Sequence, residues 1–421
     1  MKRLHTLLLA LTVAAASWCT TQAPAAAQTS YSVRDLGLLP GTNTSMGTDV
    51  NDNGEVVGDT AYSGTYKHSF YWSASAGMVD MGAFVQFLHI NNLGQVISRQ
   101  NGGSNFVWKY GENGNRLLVL PGLRTGGSIS TSDINPGGEI IGRSDTNVII
   151  GYDTVGAPQY ATVAALWKKV VGVWTPFALP MPPGDNRGGA HQLTNIAADG
   201  TGQAVGVTGQ VTYVGGNSSV TVRHFVRWTR SGDNWFIDSA VQIATGIDLG
   251  NLNAAGDSAG GDSGTGGGAF VDSANSVQVL SMGYVMGIDG AGNAAGTATL
   301  PEGKRAVRRD RLTGNIVSLG TLGGNSSMTG EYYNDNTNHV MSENGRIVGS
   351  SGIAGSTTLH GFIWDPVNAM RDLNSTALTP NKATFSTLLS ASAISNFGHI
   401  TGLGGVKKGG GYSHAFLLTP Q

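Results

Sequence analysis

Cysteine is all but absent from this chain, which has one thiol, Cys19, in 421 residues. No disulfide can form within the molecule, so packing must hold the fold. Charge is equally sparse, at 12% of residues against an ordinary value of about 25%. No basic run exceeds Arg308-Arg309 with Arg311, which argues against nucleic acid and anionic membrane surfaces as partners. Only one long apolar run exists, near the N-terminus, so no internal or C-terminal membrane anchor is expected. Low charge does not mean disorder here, because 40% of residues are apolar and the aromatics are spread along the chain.

Lys2 and Arg3, an apolar stretch over 7–16 and then Ala25-Ala26-Ala27 have the layout of a secretory signal cleaved near Ala27. The apolar stretch is about half of the ~20 residues that span a bilayer, so retention as an anchor is not expected. Trp18 stands ahead of Cys19 where lipid attachment would need a small residue. Cleavage would remove Lys2 and Arg3 and leave 23 basic and 27 acidic side chains, a net charge of −4. The expected product is a monomeric single domain of residues 28–421, secreted to the extracellular space, with the periplasm as the alternative address.

What the chain has in excess is glycine: 64 residues, about twice the ordinary ~7%. Many fall in a repeat: an aliphatic residue, Asn or a small polar residue, two variable positions, Gly, one position, and a pair of mostly aliphatic residues ending in Gly. It reads VNDNGEVVG at 50–58, INNLGQVIS at 90–98, INPGGEIIG at 134–142 and, with two extra residues, IAADGTGQAVG at 196–206. Weaker copies are LNAAGDSAG at 252–260 and IDGAGNAAG at 288–296, followed by MSENGRIVG at 341–349 and ISNFGHITG at 394–402. Asn and Asp ahead of Gly favour a turn with positive φ, and the flanking apolar residues make each copy a β-hairpin. The closing Gly lies inside a strand, where a missing side chain marks a bulge or the close approach of another backbone.

A short aromatic strand follows each hairpin: HSFYW at 68, NFVW at 105, ALW at 165, HFVRW at 224, AFV at 269, AVR at 306, HGFIW at 360 and HAFLL at 414. A fourth segment of the type VRDLGLLPG (33–41) precedes the first hairpin and recurs, as at Met78, Ile316 and Met370. The openers stand 36 to 62 residues apart, about 49 on average. That is the period of four-stranded propeller blades. Residues 147–159, 180–189 and 325–338 read as loop insertions within blades. The fold class expected is therefore all-β: a β-propeller of about eight four-stranded blades, with seven the alternative count. The chain begins with the segment that normally follows an aromatic strand and ends on an aromatic strand, so the N- and C-terminal strands should complete one blade together and close the ring.

At these residues the chain resembles the bacterial extracellular repeat family known as HAF, after the tripeptide present here at His414, Ala415 and Phe416. The resemblance rests on the VRDLGLLPG and IVSLGTLGG segments, the INxxGxIxG hairpin and the HxFxW strand. It covers residues 31–418 and weakens in units five and six, where Ala306 replaces Phe. It implies a secreted or surface protein with a propeller-like fold, and no activity for named residues.

Four histidines, His68, His224, His360 and His414, occupy one slot of the repeat. Equivalent positions in separate blades stand too far apart to share an ion, so a structural role is expected. Gly261-Asp262-Ser263-Gly264 is similar to the nucleophile segment of trypsin-like proteases but has no partner segment supplying a His base. Asp49, Asn51 and Asn53 before Gly54 have the start of a calcium loop, while Thr60 stands where its bidentate Glu belongs. These three are the metal candidates, for a structural calcium; no other cofactor and no catalytic residue is expected. The function expected is a non-enzymatic binding or scaffolding module, with a polysaccharide or another exported protein as partner. The alternative is a polysaccharide hydrolase or lyase with its site in the central channel, which two or three carboxylates facing that channel would favour.

Overall fold

A computed structural model describes residues 30–421 apart from 62–66, 84, 101–104, 195–199, 215, 245–246, 263–266, 284, 331–338, 381–383 and 408–411. The expected signal segment and Ser263 lie outside the described residues.

The hairpin copies and aromatic strands assemble as expected, into eight four-stranded antiparallel units. Unit 1 runs outward from Thr44–Val50 through Val56–Ala61 and Lys67–Ser73 to Gly77–Ala83. The innermost strands of the next five are Val85–Ile90, Ile129–Ile134, Arg187–Leu193, Ile247–Leu252 and Val285–Ile288. In unit 7 the inner edge is divided between Gly323–Thr329 and a bridge from Met341 to Ile347. Unit 8 comprises Phe385–Ile394, Ile400–Val406 and Ser413–Pro420, and its outermost strand is Tyr31–Gly37, from the other end of the chain. The count is eight, and the terminal strands close the ring.

Alternation along the aromatic strands explains why the ring holds. Phe70 and Trp72 face unit 8, whereas Tyr71 between them faces unit 2, packing on Ile90, Val96 and Trp108. Phe416 and Leu418 face unit 7, and Leu417 faces unit 1. Eight apolar clusters result, each lying between consecutive units, with the eighth joining unit 8 to unit 1. Each fully buried aromatic side chain removes enough surface from water to contribute on the order of 2–3 kcal/mol. The indole N–H groups of two fully buried tryptophans are matched: Trp167 donates to the Pro121 carbonyl and Trp228 to that of Pro180, 2.7 Å in each case.

The repeat glycines do two jobs. Gly54, at φ 73°, closes a turn in which Asn51 Oδ1 accepts the N–H groups of Asn53 and Glu55. Gly58 sits opposite a bulge in the inner strand, between Gly47 and Asp49. A Cβ on Gly58 would lie 2.0 Å from the Met46 carbonyl oxygen, and Gly142, Gly206, Gly349 and Gly402 face the equivalent oxygen at 2.0–2.1 Å. Unit 2 carries Ser98 in this place, opposite Phe87 and beside its own bulge.

Two of the expected loop insertions contain strand, in 147–152 with 158–159 and in 325–329, while 331–338 lie outside the described residues. Residues 147–159 extend a hairpin whose arms are Ile140–Tyr152 and Pro158–Val170, and residues 323–329 pair within unit 7. Glycine and asparagine marked these stretches as loops, but in the first of them Ile149 pairs with Tyr160 and Gly151 with Gln159, and irregularities on both sides of Ile149 absorb the extra residues. A second long hairpin, Gly202–Val214 with Asn217–Ser231, lies beside the first: Gly151 abuts Tyr213, and Gly216 abuts Thr154.

Gly58→Ala is expected to lower stability by about 1–3 kcal/mol, because the bulge must shift. Gly405→Ala, whose Cβ would meet nothing nearer than 3.4 Å, should change it by less than about 0.5 kcal/mol. Denaturant melts of the two variants would check this.

Candidate functional site

The four equivalent histidines do not converge. Each binds a carboxylate through Nδ1: His68 with Asp80 at 2.9 Å, His360 with Asp372 at 2.7 Å, and His414 with Asp35 at 2.9 Å. The acceptor is the Asp of the fourth segment, which also takes the backbone N–H two residues on, at Gly82, Asn374 and Gly37. The recurring His and Asp are thus two halves of one contact between the third and fourth strands. In the closing unit it joins the two ends of the chain. His224 differs, pairing with Asp185 ahead of its unit's inner strand at 2.9 Å.

The channel is open at one mouth to a cavity of about 320 Å³, lined by all eight units. Its wall holds the hairpin openers Val50, Ile90, Ile134, Leu252, Ile288, Met341 and Ile394, with Leu193 of unit 4 among them, that unit's opener Ile196 lying outside the described residues. Around them runs a belt of amides between units. Asn51 Nδ2 donates to the Asn91 carbonyl at 2.9 Å, Asn91 to Asn135 at 3.0 Å, and Asn253 to Asp289 at 3.2 Å. Asn53 Nδ2 donates to the Asn92 carbonyl at 2.8 Å. The calcium candidates therefore separate: Asn51 and Asn53 are spent on the turn and the next unit, while Asp49 turns its carboxylate inward. Composition identified these residues as turn formers; their second role, between units, depends on the ring and leaves no trace in one repeat.

Asp49 accepts the N–H of Val50 at 2.8 Å and of Ile90 at 3.0 Å, and its oxygens also meet His339 Nδ1 at 2.9 Å and His89 Nδ1 at 3.5 Å. Burial pushes the Asp49 carboxyl up, but the two imidazoles overcome it and hold the group well below the usual carboxylate range. Burial alone would lower His339; Asp49, helped by Asp133 and Asp52, outweighs it and the imidazole is pushed up to about 9. Since 41% of the His339 side-chain area still faces the channel, the carboxylate contact decides the sign. Sequence reading did not single out His89 or His339: neither lies in the aromatic-strand slot, and they come from units 2 and 7.

Three carboxylates line this mouth: Asp52, Asp133 and Glu343. Asp52 is occupied by the Phe397 N–H and the Asn92 amide, and Asp133 by the N–H groups of Ile134 and Leu193. Glu343 is raised by burial and then by Asp289, with His339 opposing.

A second cavity, of about 440 Å³, lies beneath the two long hairpins of units 3 and 4. Arg143, Arg187, Arg223 and His191 line it with Ser130, Ser132, Thr162 and Thr208, and no carboxylate is among its described lining residues. Arg187 is braced by the Tyr213 hydroxyl at 2.8 Å.

No family model matches the chain, and no curated protein matches it in sequence. Among solved structures it is similar to the Dos1 propeller, at 10% identity and a TM-score of 0.44 over 92% of this chain and 95% of that one. A puromycin-hydrolysing peptidase of Mycobacterium tuberculosis is similar at 9% identity and a TM-score of 0.43, over 90% of this chain and 53% of its own, so the chain spans about half that peptidase. The Aleuria aurantia lectin is similar at 9% identity and a TM-score of 0.31, over 69% of this chain and 95% of the lectin.

Asp35→Asn and Asp80→Asn remove the same half-buried contact from separate units, so each should cost about 1 kcal/mol, and the double variant the sum. Thermal or denaturant melts of the single and double variants would check it.

Proposed function

We propose that this protein is an exported, non-enzymatic binding propeller of the extracellular-repeat kind, and that its ligand is an acidic polysaccharide held under the paired hairpins of units 3 and 4. The groove of three arginines carries this reading. In a chain with little charge and an expected net charge of −4, that basic lining stands against the overall balance. Guanidinium groups grip carboxylates through paired N–H donors, and the neighbouring serine and threonine hydroxyls suit sugar hydroxyls. The groove offers cations and hydroxyls rather than the exposed aromatic faces expected for stacking on neutral sugars.

One observation favours an enzymatic alternative. Burial raises Glu343 at the opposite mouth, and a raised carboxyl is what a proton donor in glycoside cleavage needs. The other two carboxylates there are held by hydrogen bonds, which leaves that reading one partner short.

Polygalacturonate should raise the melting temperature at low salt, and the rise should shrink as ionic strength increases. Neutral dextran should not move it. Arg143→Ala and Arg223→Ala should each weaken binding roughly tenfold, about 1.4 kcal/mol. New reducing or unsaturated ends on any polymer of the panel, lost in Glu343→Gln, would replace the binder with the enzyme.

A further inference from the structure

We propose that Asp49, His89 and His339 bind one divalent transition-metal ion of the zinc and cobalt class inside the channel. The inference is independent of the polysaccharide reading, which concerns the opposite mouth. His89 is 3% exposed, and its Nδ1, aimed at the cluster, makes no hydrogen bond. An orphaned nitrogen at that depth costs on the order of 1–3 kcal/mol, and neither the turn belt nor the ring closure accounts for it. Asp49 Oδ2 lies 3.5 Å from it.

Position and chemistry agree. One donor atom from each of the three residues lies within 4.8 Å of the other two. An ion with bonds of about 2.0–2.2 Å would need only a modest contraction of that triangle. The Asp49 carboxylate is oriented by the Val50 and Ile90 N–H groups, the kind of support that fixes metal-binding carboxylates. The two imidazole rings stand 4.8 Å apart, tilted by 46°. Two nitrogens and one oxygen suit zinc, cobalt or nickel rather than calcium, which takes oxygen. His339 lines the 320 Å³ cavity, so a fourth position would face channel solvent. Of the three calcium candidates, only Asp49 belongs to this set.

The topology gives the ion a structural consequence. His339 follows the insertion in unit 7 and reaches past unit 8, whose Ile394 N–H its carbonyl accepts at 2.7 Å, to the carboxylate of unit 1. An ion there would tie units 7, 1 and 2 across the closing unit.

The test uses tag-free protein stripped with EDTA and titrated with Co²⁺ and then Zn²⁺. One Co²⁺ per chain with a visible d–d band, displacement by Zn²⁺, and a higher melting temperature with Zn²⁺ are expected. His89→Ala and His339→Gln should lose the band; circular dichroism shows whether each has folded, and the half-exposed His339 is the safer site. Absence of stoichiometric cobalt uptake overturns the proposal. So does a band retained in folded His339→Gln, or a melting shift with Ca²⁺ alone.

Discussion

Every feature of this molecule depends on apolar contact between neighbouring sheets. A four-stranded unit of this size has two faces to cover and no disulfide to fall back on. Its aromatic strand therefore presents alternate residues to the unit before and the unit after, and a linear array would leave the first and last faces wet. The closing contact of Phe416, Leu417 and Leu418 with their neighbours, completed by Tyr31 and the His414–Asp35 pair, removes that exposure.

The recurring glycines follow from the same constraint. As the inner strands come together around the axis they bulge, and the bulge pushes a carbonyl towards the next strand, where Gly58, Gly142, Gly206, Gly349 and Gly402 make room and unit 2 accommodates Ser98. Where the repeat degenerates, other contacts substitute. In unit 6 the aromatic at the end of the third strand is replaced by Arg309, which lies 3.9 Å from the ring centre of Phe270 in unit 5. Cation and ring occupy the space that two aromatics fill elsewhere.

Both proposed sites lie where units depart from the repeat rather than in the repeat itself. The basic groove lies beneath two neighbouring long hairpins in units 3 and 4, and the inward histidines exist because units 2 and 7 placed His where other units have different residues. The aliphatic ring, the amide belt and the His–Asp pairs recur around the axis and serve the scaffold.

The sequence by itself determined the strand order, the turn geometry and the pairing of the two chain ends, and narrowed the unit count to eight or seven, because these are local patterns repeated often enough to be read. It also indicated a structural role for the slot histidines, though not their partners, since His414 and Asp35 are 379 positions apart. Only the tertiary structure decided that residues 147–152 and 158–159 are the arms of a long hairpin, that Asn51 and Asn53 join units, and that Asp49 meets His89 and His339. The physical reasons differ: the hairpin extension is a pairing within unit 3 that its glycine and asparagine conceal, whereas the other contacts join separate units and appear only once curvature has brought the inner strands together.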